Sequence, residues 1–266
     1  MRQTARFQRL SLSFFFVAVL VTLPSACRQS GSPSAGAPSA ASTPDAATEA
    51  ARIIDKFEEA VGGAAALDQI KSYSAKGTLK FSTLPQKGAI EMFGKDPGKS
   101  LIKITLPNFP VVKKGFDGET HWVQIPQVGV VENSPSEITE LERDSEIYRA
   151  DNIKRLYESL RLEGKGRLHG REVYIIEGKP AQGPAEKLLF DTENNLLLRW
   201  DMVRKTPRRG NVFVKIHLED YRNVGGVKTP FSVRYDFESF DMLLKLEELK
   251  HNVAVDDALF KKPTTR

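Results

Sequence analysis

One cysteine, Cys27, stands among 266 residues, so no disulfide framework can hold this chain together. Histidine is almost as scarce. His121, His169, His217 and His251 lie far apart, with no H-x-H or H-E-x-x-H spacing to suggest a metal centre. There is no G-x-S-x-G nucleophile elbow and no glycine-rich loop opening a helix to cradle phosphate; Gly62-Gly63 closes a helix instead. The chain also lacks a surplus of one charge. Without Arg2, Arg6 and Arg9, which fall in a segment expected to be removed, the 39 basic residues become 36 against 34 acidic ones. That balance, with no Lys/Arg stripe interleaved with aromatics, leaves no footprint for nucleic acid. The expectation is a protein without catalytic residues, metal or cofactor.

Export signals occupy the start. Three arginines precede an apolar run over residues 10–23 (LSLSFFFVAVLVTL), too short to span a bilayer comfortably, and the small residues Ser25 and Ala26 lead into Cys27. This resembles a bacterial lipoprotein signal, residues 1–26, in which the cysteine is lipidated and becomes the mature N-terminus. Pro24 stands where such signals usually carry Leu, and ordinary cleavage nearby with Cys27 incidental is the alternative. Arg28 follows where an Asp would favour inner-membrane retention, which points towards the outer membrane. Residues 27–47 are Ser, Pro, Ala and Gly with little to bury: a flexible tether. Its reach, roughly 25 Å for about 20 residues, would hold a domain just off a membrane.

Beyond the tether, residues 48–263 read as one domain. Ile53, Ile54, Phe57 and Val61 recur at helical spacing, predicting an amphipathic helix over 46–61 capped by Gly62-Gly63, and a short second helix over 64–70. Strand patterns then take over. Tyr73, Ala75, Gly77, Leu79 and Phe81 alternate with polar residues, and further strands are expected at 88–94, 100–106, 111–116 and 120–125. Residues 126–160 break the pattern and read as a helical insertion. Strands resume at 161–168 and 172–178. The clearest alternation comes last: Leu196, Leu198, Trp200 and Met202; Val212, Val214, Ile216 and Leu218; then Val227, Phe231, Val233, Tyr235 and Phe237. One dry and one wet face imply an antiparallel sheet, here a curved meander of about ten strands. His217 falls on the wet side, as a surface histidine would.

Four motifs point to a family: FEEAVGG (57–63) running on to KGTL (76–79), FDTENNLL (190–197), DYRNVGGVKTP (220–230) and NVAVDDALF (252–260). Together they resemble the LolA/LolB-like outer-membrane lipoprotein-sorting proteins. The resemblance implies a mainly β (α+β) fold, an unclosed antiparallel β-barrel whose concave face is capped by helices and can hold acyl chains. It implies a lipid or acylated lipoprotein as partner, attachment to the membrane through the lipid anchor, and a place in the bacterial envelope facing the periplasm. A monomer is expected.

From alternation, a hydrophobic ligand cavity would be lined by Leu198, Trp200, Val214, Ile216, Phe231, Val233 and Tyr235. The other reading is a structural or sensory envelope module whose dry face is filled by its own helices and whose wet surface meets a protein partner. Phe109, stiffened between Pro107 and Pro110 and followed by Lys113 and Lys114, is the candidate membrane-contact residue; LolB-type receptors, by resemblance, use an apolar residue on such a loop. The alternative is a Phe folded back on the rim.

Overall fold

The structure is a computed structural model and describes residues 44–125, 127–132, 150–181, 183–206 and 210–264. Cys27 and the tether up to residue 43 lie outside the described residues, as do residues 133–149 of the expected insertion over 126–160. Helix α1 spans Pro44–Val61, α2 Gly63–Asp68 and α3 Ala150–Leu156. The strands are β1 (Ser72–Phe81), β2 (Lys87–Lys95), β3 (Lys99–Thr105), β4 (Val112–Phe116), β5 (His121–Ile125), β6 (Gly129–Glu132), β7 (Ser159–Leu168), β8 (Arg171–Lys179), β9 (Glu186–Asp191), β10 (Leu197–Thr206), β11 (Gly210–Val224), β12 (Val227–Phe237) and β13 (Phe240–His251).

Among the described residues these strands form one antiparallel sheet in the order β6-β5-β4-β3-β2-β1-β13-β12-β11-β10-β9-β8-β7. The first and last strands in that order are not paired with each other, so the sheet stays open. Its middle is the pairing of β1 with β13, with Tyr73 opposite His251 and Phe81 opposite Met242, which ties the two ends of the domain together.

Helix α1 forms because its apolar residues share one stripe. Ala50, Ile53, Ile54, Phe57 and Val61 are all at most 1% exposed, and each fully buried large side chain contributes about 1.5–3 kcal/mol. Phe57 meets Phe190 of β9 with ring centroids 5.5 Å apart. The helix stops at Gly62, whose φ of 134° and closeness to the β11–β12 turn admit no side chain: a Cβ there would lie 2.5 Å from the Gly226 carbonyl oxygen.

A second, smaller core lies on the other face of the sheet. Leu101, Trp122 and Phe260 cluster there, and the Trp122 indole Nε1 donates to the Phe260 carbonyl oxygen at 3.1 Å. The single 3-10 turn Asp257–Phe260 is thereby strapped across the outside of β3 and β5, and Asp257 takes ion pairs from Lys95 and Lys99, each at 2.6 Å.

Three strands exceed the ten expected, each for a local reason. β9 carries Leu188, Leu189 and Phe190 in succession, all buried, so it shows no alternation. β13 holds a bulge: Lys76 faces Glu248 but Gly77 faces Leu246, which throws its apolar residues out of step. β6 has only four residues and is specified by pairing with β5 rather than by its own pattern. The expected helical insertion over 126–160 is corrected accordingly. It contains β6, its helix α3 ends at Leu156, and β7 has begun by Ser159.

Candidate functional site

The inner face of the sheet is apolar along most of its width. Register places Trp200 opposite Ile216, Ile216 opposite Tyr235, Tyr235 opposite Met242 and Met242 opposite Phe81. The next row runs Leu218, Val233, Leu244, Leu79, and Met202, Val214 and Phe237 form another. Across β1 the face continues through Ile90 and Met92 to Ile104 and Ile102. All of these side chains are buried. Ile153 of α3 is completely buried in the same core as the α1 stripe.

Towards the β6 edge the character changes. The same face is continued by Val112, Lys114, Val123 and Ile125, which are only half-buried, and by Val131, which is 45% exposed. An apolar strip therefore runs from the buried core out to solvent along β4, β5 and β6.

Of the residues expected to line a cavity, Trp200, Val214, Ile216, Val233 and Tyr235 lie in these rows. Phe231 shares the alternation of Val233 and Tyr235, and the Arg222 guanidinium lies 4.5 Å from its ring centroid. Leu198 is buried in the same core. A bulge between Leu197 and Arg199 puts Leu197, rather than Leu198, opposite Phe190, and Leu198 also lines a pocket with Leu218 and His217. Phe109 sits at the tip of the β3–β4 loop and is 51% exposed. Its backbone N–H donates to the Leu106 carbonyl oxygen at 3.1 Å, and Asn108 at φ 62° turns the chain.

Alternation alone missed a polar inclusion within this apolar face. Glu186 precedes Leu188 by two residues, and Leu188 pairs with Trp200, so the Glu186 carboxylate shares the inner face. It is only 2% exposed. Its Oε2 accepts from the Tyr157 hydroxyl at 2.8 Å and from the Trp200 indole Nε1 at 3.0 Å. Arg204, 4% exposed, stands two residues beyond Met202 on the same strand face. A buried carboxylate costs free energy unless donors reach it, and these two do. The signal in the sequence was a Glu in step with Leu188 and Phe190, visible only once β9 is known to be a strand.

The expected surface histidine, His217, is corrected: it is on the outer face but only 5% exposed. Burial, and then the neighbouring charges of Arg234, Arg199 and His169, push its pKa down to about 4. Nearby Asp201 is pushed up, burial outweighing its ion pair with Arg199.

No family model matches the chain, and no curated protein does. Solved structures do match in fold. A DUF1329 family protein from Desulfovibrio piger superposes with a TM-score of 0.57 at 16% identity, covering 81% of this chain and 97% of that one. A LolA superfamily protein from Nitrosomonas europaea gives 0.55 at 16% identity, over 80% and 97%. A domain described as an outer membrane lipoprotein-sorting protein, from Vibrio parahaemolyticus, gives 0.55 at 10% identity, again over 80% and 97%. The chain has a LolA-like fold.

Proposed function

We propose that this protein is a membrane-anchored binder of a lipid or lipoprotein acyl chain in the bacterial envelope, acting in lipoprotein sorting or lipid handling without catalysis. The observation that carries the reading is the apolar strip of Val112, Val123, Ile125 and Val131, which leads from solvent into the buried inner face. An acyl chain entering there would slide beneath α1 and α3, separating Phe57, Ile153 and their neighbours from the sheet. Burying apolar ligand surface is worth about 25 cal/mol per Å², so a few hundred Å² supplies several kcal/mol, and micromolar affinity needs about 8 kcal/mol net. The similarity in fold to the Vibrio parahaemolyticus lipoprotein-sorting domain and to the LolA superfamily protein agrees with this reading. A lipidated Cys27 on the tether, which the structure cuts short because α1 already begins at Pro44, would keep the domain within reach of the outer membrane, with Phe109 touching the bilayer.

One observation favours a second reading. Leu198, Trp200, Val214, Ile216, Phe231, Val233 and Tyr235 are all at most 8% exposed. In a self-filled envelope module these residues are core and the outer surface meets a protein. Mass spectrometry of organic extracts from mildly purified protein separates the two, together with a Val214→Trp variant. Copurified lipid, and displacement of a fluorescent fatty acid lost in a stable Val214→Trp, supports the binder. A clean extract, no probe binding by the parent protein, and a variant destabilised by about 1–3 kcal/mol from overpacking support the module.

A further inference from the structure

We propose that one end of the sheet is a bilayer-docking rim: the β3–β4 and β5–β6 tips insert Phe109 and Val128 together into an anionic lipid surface, and the acyl strip opens beside them. Among the described residues five large apolar side chains are exposed: Phe109, Val128, Val131, Phe213 and Leu259. The first four gather at one end. Antiparallel order brings the β1–β2, β3–β4 and β5–β6 connections to the same side of the sheet as the start of β11, and Leu259 alone lies elsewhere, on the 3-10 turn. Phe109 and Val128 occupy the tips of neighbouring hairpins, since β4 pairs with β5. Val128, 67% exposed, is the most exposed of the five.

The two tips share one construction. Leu106-Pro-Asn-Phe109 and Ile125-Pro-Gln-Val128 have the same order of residue types, and Asn108 and Gln127 both take the left-handed conformation, at φ 62° and 69°. Each closes with the same hydrogen bond. The Phe109 N–H donates to the Leu106 carbonyl oxygen at 3.1 Å, and the Val128 N–H to that of Ile125 at 3.2 Å. Proline second and a positive φ third is the pattern of a type II turn, which has little freedom left to lose on docking. The β1–β2 tip repeats the order as Leu84-Pro-Gln-Lys87, with an exposed lysine in the fourth place. Residues 80–87, 105–114 and 125–131 hold Lys80, Lys87, Lys113 and Lys114 and no Asp or Glu. Apolar tips flanked by lysines suit anionic lipid, the apolar residues entering the interface while the ammonium groups meet headgroup phosphates. Glu238 and Asp241 flank the β12–β13 turn beyond β1, which confines the docking surface to the β1–β6 half. Val112, Ile125 and Val131 lead inward from these tips, so an acyl chain would pass from bilayer to groove without crossing water. That last step rests on the function proposed above; the docking does not.

The test uses the whole mature chain, residues 27–266, made without its signal and with Cys27→Ser, so that an introduced cysteine is the only thiol. Phe109→Cys, Val128→Cys and, at the opposite end of the sheet on the β4–β5 turn, Glu119→Cys each carry a nitrobenzoxadiazole label. On phosphatidylglycerol vesicles the labels at 109 and 128 should both shift to the blue and be quenched by doxyl-labelled lipid, and the label at 119 should do neither. Val128→Glu should weaken vesicle binding about tenfold, the share of one apolar side chain, with its melting temperature unchanged. Val214→Trp, on the inner face, should leave docking intact, so a protein that docks but binds no fatty-acid probe supports the rim and defeats the acyl reading alone. No vesicle binding, equal binding to phosphatidylcholine, a label at 128 that stays in water, an equal response at 119, or binding indifferent to Val128→Glu would each overturn the proposal. Self-association without vesicles, lost in Val128→Glu, would assign the rim to a second copy of the chain and overturn it as well.

Discussion

The Tyr157 hydroxyl donates at 2.8 Å to a Glu186 carboxylate that is almost wholly out of solvent, and the Trp200 indole donates to the same oxygen. This one oxygen links the segment following α3 to β9 and β10, in the middle of an otherwise apolar face. Tyr157→Phe removes one donor and leaves the indole bond, so a loss of about 1–2 kcal/mol is expected. Glu186→Leu strands both donors and should cost more than Tyr157→Phe. Urea unfolding of both variants and their double mutant should show clear coupling; additive losses would mean that the hydrogen bond carries no special weight.

The buried histidines make stability depend on pH. His217 is pushed down to about 4, and His121 and His251 are also lowered, each chiefly by burial. The unfolded chain then takes up protons near pH 6.5 that the folded chain refuses. Stability should therefore be flat above about pH 7 and fall as pH drops from about 6.5 towards 5. Asp201, whose pKa is raised, acts in the opposite sense, but only nearer its own range. Denaturant midpoints at pH 7.5 and 5.0 test this, and His217→Gln should shrink the difference. A rise in stability on acidification across that window would contradict the assignment.

Phe109 exposes half its surface on a turned loop, so it contributes little to the core. Phe109→Glu should weaken the binding of the unlipidated domain to liposomes and leave the melting temperature nearly unchanged. A large drop in melting temperature would show instead that the ring packs against the rim in solution.

Processing at Cys27 can be followed on a gel. Globomycin, or Cys27→Ala, should leave a larger precursor with its signal attached. A Cys27→Ala protein that matures normally would point to ordinary signal cleavage.

Much of this molecule was legible in order along the chain. The α1 stripe, the glycine stop at Gly62, the antiparallel class and the inner-face parity of Trp200, Ile216 and Tyr235 all follow from local periodicity, because residues spaced by 3.6 or 2 share a face whatever surrounds them. What periodicity could not convey was set by contacts between distant strands. Bulges shifted the register of β10 against β9 and disordered the pattern of β13, and an apolar run on both faces concealed β9. His217 reads as a wet-face residue in its own strand and is nevertheless buried, with Arg199 and Arg234 beside it and the His169 ring of the β7–β8 turn 5.9 Å away. Glu186 reads as one more surface carboxylate until Tyr157 and Trp200 close on it from elsewhere in the chain. Periodicity assigns a side chain to a face; only the curvature of the sheet and the partners it brings together decide whether that face meets water, a core or a pocket.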